Sequence, residues 1–180
     1  MIWDYQETKK KYKNQYQINL AIESGELFRI EKGIYSDTEY VDELLIISKR
    51  YPKAILTMDS AFYYYGLTDV IPEKYHLLTK RHTTPIRDNR VIQLYENSDN
   101  FSLGLVIEKY KGGELRLFNR ERLLVELIRA KNKLPLDYYK EIIGSYREII
   151  NDMNMQELQD YIYQLPKSEM VMDVLQMEVL

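Results

Sequence analysis

Few side chains in this sequence are placed for covalent or metal chemistry. Its two histidines are His76 and His82, and neither has an acidic residue or another histidine at metal-ligand spacing. Because the chain has no cysteine, disulfides, thiolate metal sites and cysteine nucleophiles are excluded. Glu108-Lys109 lacks the acid-x-lysine offset of nucleases, and Gly112-Gly113 lacks the lysine of a phosphate-binding loop. We therefore expect a protein that is not an enzyme and that needs neither a cofactor nor a metal.

Basic and amide side chains are concentrated in the first 32 residues. The candidates for nucleic-acid contact are Lys9, Lys10, Lys11, Lys13, Gln15, Gln17, Asn19, Arg29 and Lys32. Lysine and arginine can neutralise phosphates, which adds affinity without reading sequence. Amide side chains donate and accept together, as the major-groove edge of adenine requires. A solubilising lysine face and ordinary solvated helix residues remain the alternatives.

A second basic segment covers residues 74–90, although the chain as a whole has a net charge of −3. Its basic residues, against the single acid Asp88, are Lys74, Lys80, Arg81, Arg87 and Arg90. Residues 151–180 contain six acids and one lysine. This distribution makes residues 74–90 a candidate surface for an acidic partner or RNA.

Two helices and a hairpin must position the first group of side chains. Asp4 with Glu7 fits a capping box, which starts a helix to about Tyr12, and a second helix follows over 15–24. Gly25 ends that helix, and residues 27–35 read as a hairpin turning at Glu31-Lys32-Gly33. A helix followed at once by a small basic hairpin is typical of a winged helix-turn-helix. Only two helices fit before the hairpin, so a third is absent or replaced, for example by the helix that follows.

The rest of the chain predicts a mixed domain. A helix over 38–49 is expected from the Ser36–Glu39 capping pattern, and another over 57–65. Period-two strands are expected at 75–79, 91–95, 103–108 and 115–118, then helices at 120–132, 137–151, 155–164 and 168–178. The fold class is therefore α+β, with a shortened winged helix-turn-helix-like module (1–37) and a mixed α/β domain with a helical C-terminal half (38–180).

Four segments resemble, in order, the pattern of AbiEi-family antitoxins. Residues 25–35, Gly-Glu-Leu-Phe-Arg-Ile-Glu-Lys-Gly-Ile-Tyr, are similar to the family's G-x-L-x-R-(I/V)-x-(R/K)-G-(I/V)-Y signature. The segments 51–62, 65–72 and 119–127 resemble its Y-P-x-A, G-L-T-D and E-R motifs. The likeness extends from about Asp4 to the last helices.

This resemblance implies the antitoxin of a type IV toxin–antitoxin, or abortive infection, system. Such a protein binds operator DNA, commonly an inverted repeat upstream of its own gene, and represses transcription. It also counters a nucleotidyltransferase-type toxin, and this action need not involve a tight complex. The family's larger domain is thought to carry the antitoxin activity, which points to the basic residues of segment 74–90.

Further expectations concern location and assembly. No apolar stretch reaches membrane length and no signal peptide is recognisable, so a cytoplasmic protein without a membrane partner is expected. We expect a monomer or weak dimer, two copies of which meet on an inverted repeat. The alternative is a protein–protein interaction module of the same family that does not bind DNA, which the overall acidity and the missing helix favour.

Overall fold

The computed structural model describes residues 1–97 and 99–180. Those residues form an α+β fold with eight α-helices and two sheets. Contacts divide the chain into two compact units, one of Met1–Ala54 with Ile107–Arg116 and one of Ile55–Val106 with Leu117–Leu180. The first unit thus contains the whole 1–37 module and continues beyond it. No helix in the described part of the chain is long and apolar enough to cross a membrane.

The first unit contains a helix pair and a small sheet. Within Met1–Ala54 its elements are β1 (Ile2–Asp4), α1 (Tyr5–Tyr12), α2 (Gln15–Glu23), β2 (Phe28–Glu31), β3 (Ile34–Ser36) and α3 (Glu43–Arg50). The sheet is antiparallel with strand order β1-β3-β2. The predicted helix pair and hairpin are confirmed. The sequence analysis missed β1, because three residues are too few to display a period-two pattern.

Local signals explain why the helix pair forms. Asp4 Oδ1 accepts from the Glu7 N–H at 2.8 Å, and Glu7 Oε2 accepts from the Asp4 N–H at 2.8 Å, so the predicted capping box is present. Asn14 caps α2 by accepting from the Gln17 N–H at 3.0 Å. Gly25, at φ +74°, ends α2 in the left-handed region that a residue without Cβ adopts readily.

The core of the first unit joins α2 to the hairpin. Ile18 and Ala21 of α2 are buried together with Leu27 and Tyr35, as the helical spacing predicted for α2. Trp3, Tyr5, Tyr12 and Ile22 pack around this cluster. The hairpin is therefore fixed to α2 by buried apolar surface rather than by its turn alone.

The predicted start of the third helix is wrong. Ser36 lies in β3, where it pairs with Ile2 and Phe28, and no helix follows it directly. Its hydroxyl accepts from the Thr38 N–H at 3.1 Å, and α3 begins only at Glu43, capped by Asp42. The helix then packs against β1 and β3.

The second unit carries most of the larger sheet and five helices. The remaining strands are β4 (Ile55–Leu56), β5 (Tyr75–Lys80), β6 (Val91–Glu96), β7 (Leu105–Tyr110) and β8 (Gly113–Phe118), in the order β6-β5-β4-β8-β7. The helices are α4 (Met58–Tyr64), α5 (Arg120–Ala130), α6 (Leu136–Ile149), α7 (Met155–Gln164) and α8 (Ser168–Glu178). All five predicted helices are confirmed, as are the four predicted strands with shifted ends. The two-residue β4 was missed.

A short crossover joins β5 to β6, which are parallel along six residues each. The connection has only ten residues, whereas parallel strands usually need a dozen or more. Gln93 on β6 holds this crossover. Its Oε1 accepts from the Ile86 N–H at 2.7 Å, and its Nε2 donates to Thr79 Oγ1 at 2.8 Å.

Gln93→Leu is therefore expected to lower the free energy of unfolding by about 1–3 kcal/mol, because the Ile86 N–H loses its acceptor and Thr79 Oγ1, which still donates to the Leu94 carbonyl, loses the Gln93 donor. Urea denaturation followed by circular dichroism measures this. Gln159→Leu, on the exposed surface of α7, is the matched control and should change stability by less than about 0.5 kcal/mol. Equal stability of the two variants would contradict a role for Gln93 in holding the crossover.

A buried charge network lies beside α5. Arg122 is 0% exposed, and its guanidinium lies 4.7 Å from the ring centroid of Phe118. Its Nη2 is 2.8 Å from Glu126 Oε1 and 3.4 Å from Glu96 Oε2. Arg129 contacts the same two carboxylates from a more exposed position. The network thus ties the end of β6 to α5.

Candidate nucleic-acid interface

The side chains predicted to contact DNA are all on the surface of the first unit. Those exposed side chains are Lys9, Lys10, Lys11, Lys13, Gln15, Gln17, Asn19, Arg29 and Lys32. The lysines lie in the last turn of α1 and in the following turn, the amides on α2, and Arg29 and Lys32 on the hairpin. The backbone therefore brings three candidate groups onto one small unit.

The hairpin presents its basic groups to solvent. Arg29 lies on β2 opposite Tyr35, and Lys32 and Gly33 form the turn. Gly33 has φ +81°, a conformation that favours glycine at this turn. Across residues 1–97 and 99–180, no ion pair occupies Arg29 or Lys32. Both side chains remain able to approach a polyanion.

The lysines of α1 do not form a single face, since consecutive helical residues point in different directions. Lys11 Nζ lies 4.1 Å from the ring centroid of Trp3 and 5.2 Å from that of Tyr12, which places it in cation–π contact. Lys9 and Lys10 complete the last turn, and Lys13 follows with φ +67°. Cations here also complement the carboxyl end of the helix dipole, so part of their role is structural.

Two basic residues of α3 pair with acids of this surface. Lys49 Nζ lies 2.9 Å from Glu7 Oε2 of α1, and Arg50 is paired with Glu31 of the hairpin. These pairs reduce the repulsion that both carboxylates would exert on a phosphate. They also tie α3 to the first helix and to the hairpin.

On α2, the exposed polar residues separate into two groups. Gln15 Nε2 donates to Asn19 Oδ1 at 2.9 Å, which joins two amides one turn apart. Gln17 lies about 200° around the helix from Gln15, on the other flank. The structure thus brings Gln15 and Asn19 together but leaves Gln17 outside that pair.

The basic segment 74–90 lies in the second unit, and its basic residues differ in their exposure and in their partners. Lys74, Lys80, Arg81 and Arg87 are exposed, whereas Arg90 is half-buried. Arg90 Nη2 is 2.8 Å from Asp88 Oδ2, Arg81 Nη1 donates to Asn97 at 3.3 Å, and Lys80 Nζ lies 5.5 Å from the Phe101 ring centroid. The segment consists of Lys74, the whole of β5 and the crossover to β6.

One pair of titratable groups was not foreseen from the sequence. His76 Nε2 on β5 lies 3.8 Å from Asp59 Oδ2 on α4, although 17 residues separate them in the chain. Burial lowers the pKa of His76 below its ordinary value, and the nearby Asp59 carboxylate offsets only part of this effect. In the described part of the chain, no three histidine, aspartate or glutamate side chains cluster as a metal site.

The His76 environment predicts a pH dependence of stability. A histidine whose pKa is lowered in the folded state binds its proton more readily when unfolded, so stability is full above about pH 6.5 and falls as the pH drops below it. His76→Gln should flatten this part of the curve, whereas His82→Gln, at an exposed position, should leave it unchanged. Thermal unfolding between pH 5 and pH 8 tests this. A decline with the same slope in all three proteins would assign it to other groups.

Comparison with known proteins finds neither a protein-family model that matches the chain nor a significant match to a curated protein. The similarity of its four segments to the AbiEi pattern therefore stays a prediction. A function has to be argued from the exposed basic and amide side chains of α1, α2 and the β2–β3 hairpin.

Proposed function

We propose that the protein is a DNA-binding antitoxin that represses its own promoter through a winged helix-turn-helix in the first unit. The observation that carries this proposal is the basic hairpin packed directly behind α2, with Arg29 and Lys32 exposed and without ion-pair partners among the described residues. In such a module, the second helix enters the major groove and the wing lies against the phosphate backbone. The lysines at the end of α1 would add phosphate contacts.

The third helix of this module would be α3. It follows the wing in the chain, but it packs against β1 and β3 and is ion-paired to α1 through Lys49 and to the wing through Arg50. These contacts join α3 to α1, the sheet and the wing, as the third helix of such a module would be joined.

The expected operator is an inverted repeat upstream of the gene, because two copies of one module bind symmetric half-sites. Titration of that upstream DNA in a gel-shift or fluorescence-anisotropy assay tests the proposal. Affinity should fall steeply with salt, since phosphate neutralisation releases counterions. Equal affinity for the upstream and a scrambled duplex at every salt concentration would overturn the regulator proposal.

The antitoxin part of the proposal concerns a nucleotidyltransferase-type toxin encoded beside the gene. The exposed basic residues Lys74, Lys80, Arg81 and Arg87 are the candidate surface for this action. Co-expression with the neighbouring gene product should rescue growth. Replacing Lys80 and Arg81 by glutamate should reduce the rescue while DNA binding is retained, and full rescue by this variant would remove the segment from the proposal.

A second candidate function is a protein–protein interaction module that does not bind DNA. The net charge of −3 favours it. This alternative expects no salt-dependent binding to any duplex, yet a stoichiometric complex with the neighbouring gene product in analytical ultracentrifugation. The two measurements together separate the candidates.

A further inference from the structure

The exposed face of α2 has an unusual composition for a surface helix. It contains the hydrogen-bonded amide pair Gln15 and Asn19, and beside it Tyr16 and Leu20, which are 68% and 39% exposed. Each pair is one turn apart, so the four side chains form two adjacent rows. The helix has no arginine or lysine anywhere along its nine residues.

The amide pair is suited to adenine. Once Gln15 Nε2 is bonded to Asn19 Oδ1, the pair still offers the Gln15 carbonyl as an acceptor and the Asn19 amine as a donor. Adenine presents the complementary set in the major groove, an N6 donor beside an N7 acceptor. Guanine presents two acceptors there, so one of them would face the amide carbonyl. Exchanging the two amide assignments leaves one donor and one acceptor, and the same preference.

The apolar row is suited to thymine. Thymine is the base that carries a methyl group into the major groove, and aliphatic or aromatic side chains contact it favourably. Tyr16 and Leu20 lie outside the apolar cluster of the first unit, which contains Ile18 and Ala21 from the same helix. Their exposure leaves both available for such a contact.

Phosphate contacts and base contacts are assigned to different elements according to where the basic residues lie. The basic residues of the module lie on α1, its following turn and the wing, where they would meet phosphates. Guanine is most often read by arginine or lysine donating to its O6 and N7 atoms, and α2 provides neither residue. We propose that α2 reads A·T base pairs, with Gln15 and Asn19 on adenine and Tyr16 and Leu20 on thymine methyl groups. This inference rests on the proposed function and names the class of operator half-site as A·T-rich.

Selection of binding sites from random-sequence duplexes is the first test. The wild-type protein should enrich half-sites with consecutive A·T pairs. The combination of Gln15→Ala with Asn19→Ala should reduce the adenine preference about tenfold to a hundredfold while retaining salt-dependent binding. The matched control is Gln156→Ala, which removes a similar bond between Gln156 and Asp160 on α7. It should leave the selected sites unchanged.

Base analogues then assign the contacts on one selected duplex. Replacing a central adenine by 7-deazaadenine removes N7 and should weaken wild-type binding about tenfold, but not that of the Gln15/Asn19 variant. Replacing thymine by uracil removes the methyl group and should weaken the wild type more than a Tyr16→Ala, Leu20→Ala variant. Circular dichroism confirms that each variant remains folded.

The possible outcomes distinguish a failure of A·T reading from a failure of the proposed DNA binding. Enrichment of G·C-rich sites, or binding without base preference, would overturn A·T reading and leave DNA binding intact. An adenine preference that survives in the Gln15/Asn19 variant would overturn the assignment to that pair. Absence of binding to every duplex at low salt would overturn the proposed function itself, and this inference with it.

Discussion

Under the proposed function, Arg29→Ala combined with Lys32→Ala is expected to weaken operator binding about a hundredfold while the protein stays folded. Each side chain is exposed on the β2–β3 hairpin, and a charge-assisted hydrogen bond to phosphate contributes roughly 1.5 kcal/mol or more. The slope of log affinity against log salt should also fall by about 0.9 for each phosphate that the variant no longer neutralises. Fluorescence-anisotropy titrations of the upstream duplex across a salt series measure both effects.

The control for this variant removes two positive charges elsewhere. Lys133→Ala with Lys140→Ala changes the net charge equally, at exposed positions of the second unit. It should reduce affinity only slightly, through the long-range field of the protein. If affinity falls equally in the two double variants, net charge rather than the β2–β3 hairpin governs binding. Unfolding curves of both variants show whether weaker binding reflects a folding defect.

Local signals explain how much of the first unit could be predicted from sequence. The Asp4–Glu7 capping box, the left-handed Gly25 and the turn at Gly33 each act within a few residues, and all are present in the structure. The exposed positions of Gln15, Gln17 and Asn19 follow from the same helical spacing that buries Ile18 and Ala21. The function of these residues has no such local signature and stays a proposal.

The features that sequence could not predict depend on pairing between distant segments. β1 exists because Trp3 pairs with Tyr35, and three residues alone give no strand signal. Ser36 carried a capping pattern, but its hydroxyl, in β3, accepts from the Thr38 N–H instead, and α3 begins at Glu43 with Asp42 as its cap. The approach of His76 to Asp59 and the parallel pairing of β5 with β6 depend on the sheet in the same way.

Arg122→Met is expected to lower the free energy of unfolding by about 3–5 kcal/mol, the largest stability effect we foresee for a single substitution. The guanidinium is fully buried between Glu96 and Glu126, so its removal leaves two largely buried carboxylates with only Arg129 nearby. Methionine fills a similar length but cannot donate a hydrogen bond. Urea denaturation of the variant and the wild type gives the difference.

A cycle of variants separates the effect of charge pairing from the effect of packing. Adding Glu96→Gln and Glu126→Gln to Arg122→Met removes the two negative charges that Arg129 alone would otherwise compensate, and should restore part of the stability, because replacing a buried network costs less than breaking it. Arg129→Met alone should cost less than Arg122→Met, since that side chain is 18% exposed and its charge is partly solvated. No recovery in the triple variant would show that Arg122 acts through its other contacts, the Phe118 ring and the Asn100 carbonyl, because both variants lack them.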